Sequence, residues 1–128
     1  MTDLHLSADK REQTPLVHFK TTGELRIEGT SYPEDPMKFY DQVIEWVKNL
    51  KKEKLPKIEL LVRLDYFNTS TSKLVLYIFK LLENIYLSDK NDVRIIWYYH
   101  KNDEDMFESG NDYSSLLDIP VELREIEA

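Results

Sequence analysis

Hydrophobic and polar positions alternate along this chain with two periods, one of two residues and one of three to four. Short runs of the first kind at residues 15–20 and 25–29 flank a turn that contains Gly23, which predicts a β-hairpin. The segment from Pro36 onward has the second period and predicts an amphipathic helix. Asp35 is its expected N-cap, and Pro36 occupies the first helical position, where a missing N–H costs nothing. The apolar face consists of Met37, Tyr40, Val43, Ile44, Val47 and Leu50.

Two strands with a helix between them are predicted next. Residues 58–67 are apolar at most odd and even positions, which is typical of a central strand covered at least in part on both faces. The polar run 68–72 ends this strand, and a second helix begins there. Residues 92–100 are rich in β-branched and aromatic side chains, as strands are. The intervening helix presents one apolar face, formed by Leu74, Tyr77, Ile78, Leu81, Leu82 and Ile85.

A third helix and a last strand complete the pattern. Asn102 or Asp103 is the expected cap of a helix that extends through Leu117, and Gly110 is a position where that helix is expected to break or bend. Residues 120–126 predict a strand at the edge of the sheet. The resulting order, β-β-α-β-α-β-α-β, predicts an α/β fold with a mixed sheet, parallel central strands and flanking helices. This order resembles the topology of anti-sigma-factor-antagonist, or STAS-like, domains.

Length and composition agree with one globular domain. The chain has 128 residues, 41% of them apolar and 32% charged, and no uncharged apolar run approaches the ~20 residues that cross a bilayer. We expect residues 1–13 to be a mobile lead-in and residues 14–128 to form the domain. The lack of cysteine excludes disulfides, thiolate zinc sites and thiol catalysis. Without a signal-peptide pattern, a cytoplasmic location is expected.

The negative charge is concentrated at the C-terminal end. The net charge is −7, and residues 101–128 carry nine acidic side chains against two basic ones, whereas the charges of residues 1–100 balance. An acidic chain of this kind is a poor general binder of nucleic acid or of anionic membranes. We therefore predict neither as a partner.

The junction at residues 64–73 carries the most informative chemistry. A buried strand ends there and a helix begins, and the first turn of a helix presents unpaired N–H groups and a partial positive charge. Such a junction suits a phosphate, either in a ligand or attached covalently to a hydroxyl. The hydroxyls at this position belong to Thr69, Ser70, Thr71 and Ser72. Alternatively, Asn68 or Thr69 merely caps the helix and the other hydroxyls are solvated, and spacing alone does not decide between these interpretations.

An acidic cluster near the start of the third helix is the second candidate. Its members are Asp103, Glu104, Asp105, Glu108 and Asp112. Their spacing does not match the alternating ligands of an EF-hand loop, so we predict no metal site and no cofactor. Acidic residues suit the first turn of a helix, and the simpler interpretation is a helix start with a solvated face. If the cluster is functional, we expect it to contact basic residues of a partner protein.

Several motifs together resemble the SiaC family of bacterial regulatory phosphoproteins over nearly the whole chain. They are Thr14-Pro15, residues 23–29, Ser31-Tyr32-Pro33-Glu34, Tyr66-Phe67-Asn68-Thr69-Ser70 through Lys73, Trp97-Tyr98-Tyr99 and Asn102-Asp103-Glu104-Asp105-Met106. The resemblance implies that Thr69 is phosphorylated by a dedicated protein kinase and dephosphorylated by a PP2C-type phosphatase. It also implies that the unphosphorylated form binds an effector protein and activates it, a diguanylate cyclase in the system that gives the family its name.

We therefore predict a non-catalytic signalling protein in which phosphorylation at Thr69 switches partner binding, with the interface and not the fold responding. The expected surroundings of the phosphosite and partner surface are Asn68, Ser70, Thr71, Ser72, Lys73, Asp103, Glu104 and Asp105. The alternative is a small enzyme or ligand-binding domain that uses the same helix start as a phosphate site, with Asp65 or Asp103 as acid or base. Against it, the sequence has no Gly-rich phosphate loop, no nucleophile paired with a base and no metal-ligand spacing.

Overall fold

The computed structural model of the chain describes residues 1–89 and 92–127, so that Ala128, the last residue of the predicted domain, lies outside the described residues. Within these residues the chain forms six strands and three α-helices. The strands are β1 (Leu4–Leu6), β2 (Leu16–Phe19), β3 (Glu24–Ser31), β4 (Lys57–Phe67), β5 (Asp92–His100) and β6 (Val121–Ile126). The helices are α1 (Pro36–Leu50), followed by a 3₁₀ turn (Lys51–Glu53), α2 (Thr69–Asp89) and α3 (Glu104–Leu116).

One mixed sheet contains the six strands in the order in which they occur along the chain. Neighbours among β1, β2 and β3 are antiparallel, and neighbours from β3 to β6 are parallel. The β2–β3 hairpin turns at Gly23, where a φ of +99° and the close approach of the Lys57 carbonyl both require a residue without a side chain. The predicted mixed sheet with parallel central strands is confirmed.

Strand β1 lies where the sequence predicts only a mobile lead-in. It pairs with β2 and places His5 directly opposite His18. Two contacts with distant residues hold it: the Asp3 carboxylate accepts a hydrogen bond from the Thr21 N–H at 2.8 Å, and the Trp46 indole donates to the Thr2 carbonyl at 2.8 Å. Three residues are too few to show a strand period, so the sequence pattern does not reveal this strand.

The three helices cover one face of the sheet. Each parallel crossover leads to the next strand in the same direction, and right-handed crossovers of this kind place their helices on the same side. The covered face carries rows of buried apolar side chains in register, with Leu60 and Ile95 at its centre. On the opposite face of β4, Glu59 and Leu61 are half-buried and Arg63 is exposed, so the second face of this strand is only partly covered. Across residues 1–89 and 92–127, none of the helices is long and apolar enough to span a membrane.

Side-chain caps begin α1 and α3 as the sequence predicts. Asp35 Oδ1 accepts a hydrogen bond from the Lys38 N–H at 3.2 Å, and a proline occupies the first turn. Asp103 Oδ1 accepts from the Met106 N–H at 3.0 Å, so that Asp103, and not Asn102, is the cap of α3. Each cap satisfies an N–H that has no partner within its helix.

Gly110 does not interrupt α3. The helix continues through it, and a Cβ at this position would lie 2.4 Å from Cδ1 of Trp97. The same indole donates from Nε1 to the Met106 carbonyl at 3.0 Å. The glycine therefore allows α3 to pack closely on the indole, and the expected break at Gly110 is wrong because tertiary packing outweighs the weak helix propensity of glycine.

Candidate functional site

The junction between β4 and α2 is organised by Asn68. Its Oδ1 accepts a hydrogen bond from the Thr71 N–H at 2.9 Å, and its carbonyl accepts from the Ser72 N–H at 3.0 Å. Its own N–H donates to the carbonyl of Ser31, at the end of β3, at 3.2 Å. The helix start is therefore anchored to two neighbouring strands. Asn68, and not Thr69, supplies the cap that the sequence left open.

The first residues of α2 differ sharply in exposure. Thr69 and Ser70 are exposed, whereas the Thr71 side chain is fully buried. Thr71 Oγ1 donates to the Ser31 carbonyl at 3.0 Å and lies 3.0 Å from Ser31 Oγ, which is 2.7 Å from the Tyr40 hydroxyl. The prediction that Thr71 is a candidate phosphate acceptor and part of the partner surface is therefore wrong, since Thr71 is a core residue. The inward side of the helix meets the end of β3 at this position.

Ser72 and Lys73 complete the start of α2. Ser72 Oγ donates to the Thr69 carbonyl at 2.6 Å, and the Ser72 carbonyl accepts from the Tyr113 hydroxyl at 3.0 Å. Ser72 is therefore half-buried and joins α2 to α3. Lys73 is exposed and lies four residues after Thr69, on the same side of the helix. Side chains at this spacing are neighbours on a helix surface.

A cleft of about 410 Å³ lies beside the start of α2. Its lining consists of Asp65, Tyr66, Phe67, Asn68, Thr69, Ser72, Asp103, Asp105, Met106 and Ser109. The lining joins the predicted phosphosite to the predicted acidic cluster, because β4 and β5 are adjacent parallel strands whose carboxyl ends lie side by side. Five residues of the predicted phosphosite surroundings and acidic cluster are exposed but lie outside this lining, namely Ser70, Lys73, Glu104, Glu108 and Asp112.

The cleft is acidic. Asp65, Asp103 and Asp105 contribute carboxyl groups, and the described lining contains no lysine, arginine or histidine. Asp103 is half-buried as the cap of α3, and Asp65 Oδ1 lies 3.3 Å from Nε2 of His100 in an exposed pair. In the part of the chain that the structure describes, no three His, Cys, Asp or Glu side chains cluster as a metal site requires. The cleft therefore presents an anionic wall next to an exposed hydroxyl.

The phenols behind the helix start are neutral at physiological pH. Burial raises the pKa of Tyr40 to about 12, against a smaller lowering by the hydrogen bond with Ser31. Burial also raises the pKa of Tyr113 well above its usual value, with a smaller contribution from Tyr40. Neither phenol is therefore a base near neutral pH, and both hold the start of α2 in place as hydrogen-bonding groups.

An exposed aromatic pair at the ends of β3 and β4 is not singled out by the sequence patterns. Tyr66 and Tyr32 are 54% and 40% exposed, and their rings pack edge to face with centroids 5.3 Å apart. Tyr66 lines the cleft and lies beyond a register shift in the pairing of β3 with β4. Exposed tyrosines suit a protein interface, since the ring supplies apolar contact and the hydroxyl a hydrogen bond. Their only sequence signal is their place within the two motifs that carry the family resemblance.

The fold and the cleft define a single α/β domain in which an exposed hydroxyl at a helix start borders an acidic cleft. A family model described as SiaC family regulatory phosphoprotein matches residues 8–126. The chain therefore belongs to the SiaC family, and the resemblance seen in the sequence motifs is confirmed.

Similar proteins from Pseudomonas aeruginosa agree with this assignment. An uncharacterised protein of strain UCBPP-PA14 is 30% identical over 125 residues, which is 97% of each chain. The crystal structure of apo-SiaC is 28% identical, with a TM-score of 0.86 over 97% of this chain and 99% of that one. SiaC in the crystal structure of the diguanylate cyclase SiaD with its activator SiaC is also 28% identical, with a TM-score of 0.89 over 97% of this chain and 100% of that one. These structures confirm the predicted α/β fold.

Proposed function

We propose that this chain is a non-catalytic regulator that binds an effector protein through the surface around Thr69, and that reversible phosphorylation of Thr69 switches this binding. In Pseudomonas aeruginosa, SiaC is the activator found in complex with the diguanylate cyclase SiaD, and a diguanylate cyclase is the effector class that we assign here. A protein kinase adds the phosphate and a PP2C-type phosphatase removes it, both acting in the cytoplasm.

The contrast between two neighbouring threonines carries this proposal. Thr69 is exposed and lines the cleft, and its side chain is not needed as a cap because Asn68 fills that role. Thr71, two residues later, is fully buried against Ser31. A kinase therefore reaches Thr69 on the folded domain, whereas access to Thr71 requires the helix start to open.

A phosphate on Thr69 alters the surface more than the fold. It adds a charge of about −1.5 to −2 at the start of α2. The helix dipole stabilises such a charge by about 0.3 to 2 kcal/mol, and Lys73 lies one helical turn away. The acidic wall of Asp65, Asp103 and Asp105 opposes the added charge across the cleft. The phosphate therefore makes this surface more negative. Covering the phosphate dianion with an apolar or acidic patch of a partner is unfavourable. The proposal thus explains release of an effector without refolding.

The alternative of a small enzyme or phosphate-binding domain is disfavoured by the same charges. A phosphorylated ligand at the helix start would meet three carboxyl groups and no cation among the described lining residues, which repel it. Asp65 and Asp103 do lie at one cleft, as an acid and a base would have to. However, Asp103 is engaged as the cap of α3, and Asp65 pairs with the half-buried His100.

Phosphate installed at one defined residue tests the proposal. Phosphothreonine is incorporated at position 69 of the full chain, and phosphoserine at position 70 is the matched control, because Ser70 is exposed in the same turn. We expect the chain with phosphothreonine at position 69 to bind its purified diguanylate cyclase about a hundredfold more weakly, since an uncompensated charge in a closed interface costs several kcal/mol. The control should lose much less. Calorimetry and the rate of cyclic di-GMP formation measure both effects.

Kinase treatment tests the residue assignment. Intact mass and phosphopeptide mapping after reaction with the cognate kinase should give one phosphate on Thr69, and Thr69→Ala should accept none while it still binds the cyclase. Reproducible modification of Ser70 with Thr69 unmodified would overturn the assignment and leave the switch intact. Equal cyclase binding by the phosphorylated and unphosphorylated chains would overturn the switch itself.

A further inference from the structure

Two histidines face each other on the open face of the sheet, on strands at the far edge from α3. His5 of β1 and His18 of β2 are directly opposite in the antiparallel register, and their ring centroids are 4.8 Å apart at an interplanar angle of 49°. His5 is exposed and His18 is half-buried. Imidazole rings at this separation can turn one nitrogen each toward a shared point in solvent.

We propose that His5 and His18 together bind one divalent late transition-metal ion and that this ion ties β1 to β2. Neutral imidazole nitrogen is a good ligand for Cu²⁺, Ni²⁺ and Zn²⁺ and a poor one for Mg²⁺ and Ca²⁺, which require oxygen. The order of affinities along the first transition row places Cu²⁺ first and Ni²⁺ ahead of most others. The pair is independent of the Thr69 cleft, which is formed by other elements.

The neighbouring charges limit the affinity of this site without preventing binding. Arg26 of β3 lies directly opposite His18, but its guanidinium is paired with Glu28 at 2.6 Å. Asp3 lies close enough to His18 and Lys20 for both to interact electrostatically with its carboxylate, although the Thr21 N–H is the main reason that its pKa is lowered. Among the described residues, no third His, Cys, Asp or Glu joins the pair. Water must therefore complete the coordination shell, and the affinity should be below that of a zinc site with three or four protein ligands.

A metal bound across two strands should hold the short edge strand in place. β1 has only three residues, and it is held by its pairing with β2, by the packing of Leu4 and Leu6 against the core and by the contacts of Thr2 and Asp3. An ion that binds only the paired state stabilises that state by a factor set by its concentration relative to Kd. The ion should therefore slow the opening of the N-terminal strand without changing the rest of the sheet.

Metal titration of the full chain tests the site. Ni²⁺ is titrated calorimetrically, and Cu²⁺ is followed by electron paramagnetic resonance, which reports the number of bound nitrogens. We expect one equivalent with two imidazole nitrogens, and His5→Ala and His18→Ala should each weaken binding by about tenfold or more, the loss that removal of a mere supporting group causes at metal sites. His100→Ala is the matched control, since His100 is a lone histidine on β5, and it should bind like the unmodified chain. His18→Gln with a native circular dichroism spectrum separates loss of the ligand from loss of the fold.

Hydrogen exchange tests whether the bound ion holds β1 against β2. With free Ni²⁺ at ten times its Kd, the amides of Leu4–Leu6 should exchange about tenfold more slowly, and the effect should vanish in His18→Gln. Three results would overturn the proposal: metal binding that persists in the double variant His5→Ala/His18→Ala, Cu²⁺ spectra with a single imidazole nitrogen, and exchange at β1 that metal does not change.

Discussion

The first turns of α2 and α3 border the same cleft and are built differently. Each has one N-cap whose Oδ1 accepts a hydrogen bond from the N–H three residues on, at 2.9 Å for Asn68 and 3.0 Å for Asp103. The first turn of α3 adds Glu104 and Asp105, whereas the first turn of α2 contains no acidic residue. One helix start is thus anionic, and the other carries only neutral hydroxyls.

This difference shows where the domain can accept additional charge. The first turn of α3 already contains carboxylates of its own, while the first turn of α2 contains none. A negative group on the exposed side of α2 therefore supplies the favourable interaction with the helix dipole that this first turn lacks. The same group on the buried side of α2 has no solvent to stabilise its charge. Four measurements of stability test this distinction, beginning with the buried side.

Thr71→Asp should produce the largest effect. It places a carboxylate in the buried hydrogen-bonded group with Ser31 and Tyr40, and an uncompensated buried charge costs about 3 to 5 kcal/mol. Thr71→Val keeps the shape and removes one of the two donors to the Ser31 carbonyl, which still accepts from the Asn68 N–H, so it should cost only about 0.5 to 1.5 kcal/mol. Urea denaturation gives both values. A Thr71→Asp chain as stable as the unmodified one would show that this side of α2 opens to solvent.

Alkaline pH should weaken the same buried group. The pKa of Tyr40 is raised to about 12 in the folded chain, above the value near 10 in the unfolded chain, so the unfolded state loses its proton first. Stability is therefore fully present below pH 10 and is lost as the pH rises from about 10 to 12, by about 3 kcal/mol from this residue. Tyr40→Phe should lose less stability over that range. Denaturation curves that show no change above pH 10 would contradict the buried position of the phenol.

Removal of the caps should cost less and should distinguish the two helix starts. Asn68→Ala and Asp103→Ala each leave one N–H unpaired, and each should lower the free energy of unfolding by about 1 kcal/mol. Asp103→Asn keeps the cap and removes only its charge, so we expect a loss of about 0.3 to 1 kcal/mol at low ionic strength that salt screens. Urea titrations at two salt concentrations measure this. A loss in Asp103→Asn that salt does not change would argue against the dipole as the cause.

Thr69→Asp should change stability least. It places a carboxylate at the exposed first turn of α2, where the favourable helix dipole and the repulsion from Asp65, Asp103 and Asp105 oppose each other, so we expect a free energy of unfolding within about 1 kcal/mol of the unmodified chain. Ser70→Asp is the matched control on the same turn and should behave similarly. If Thr69→Asp destabilised the chain more than Asn68→Ala does, Thr69 would act through the fold and not through the surface.

The elements that neighbouring residues in the sequence determine were predictable. The hairpin depends on its alternating runs and Gly23, and the caps Asp35 and Asp103 are short polar residues directly before apolar periodic segments. The family resemblance depended on motifs that are each a short run of consecutive residues, although together they span nearly the whole chain. The junction at Asn68 followed from the change between the two periods.

Other features depend on contacts between residues far apart in the sequence. The burial of Thr71 depends on Ser31, forty residues earlier, and on the register of β3 against β4. The close approach of α3 at Gly110 depends on the position of Trp97 in β5. Periodicity gives the side of an element that faces inward, but it does not give the partner that the side chain meets. For this reason spacing alone did not distinguish Thr69 from Thr71, although the family resemblance pointed to Thr69, and the structure shows that only Thr71 is buried.

The sequential order of the strands has a consequence for synthesis of the chain. Each strand pairs with the strand that precedes it in the chain. When a new strand leaves the ribosome, the edge strand with which it pairs has therefore already been synthesised. The Ser31 hydroxyl and carbonyl that receive Thr71 are made forty residues earlier. The acidic residues of α3 leave the ribosome after those of α2. A nascent chain that ends after α2 therefore already contains the turn with Thr69 but still lacks most of the anionic wall opposite it, so the two halves of the cleft are completed at different moments of translation.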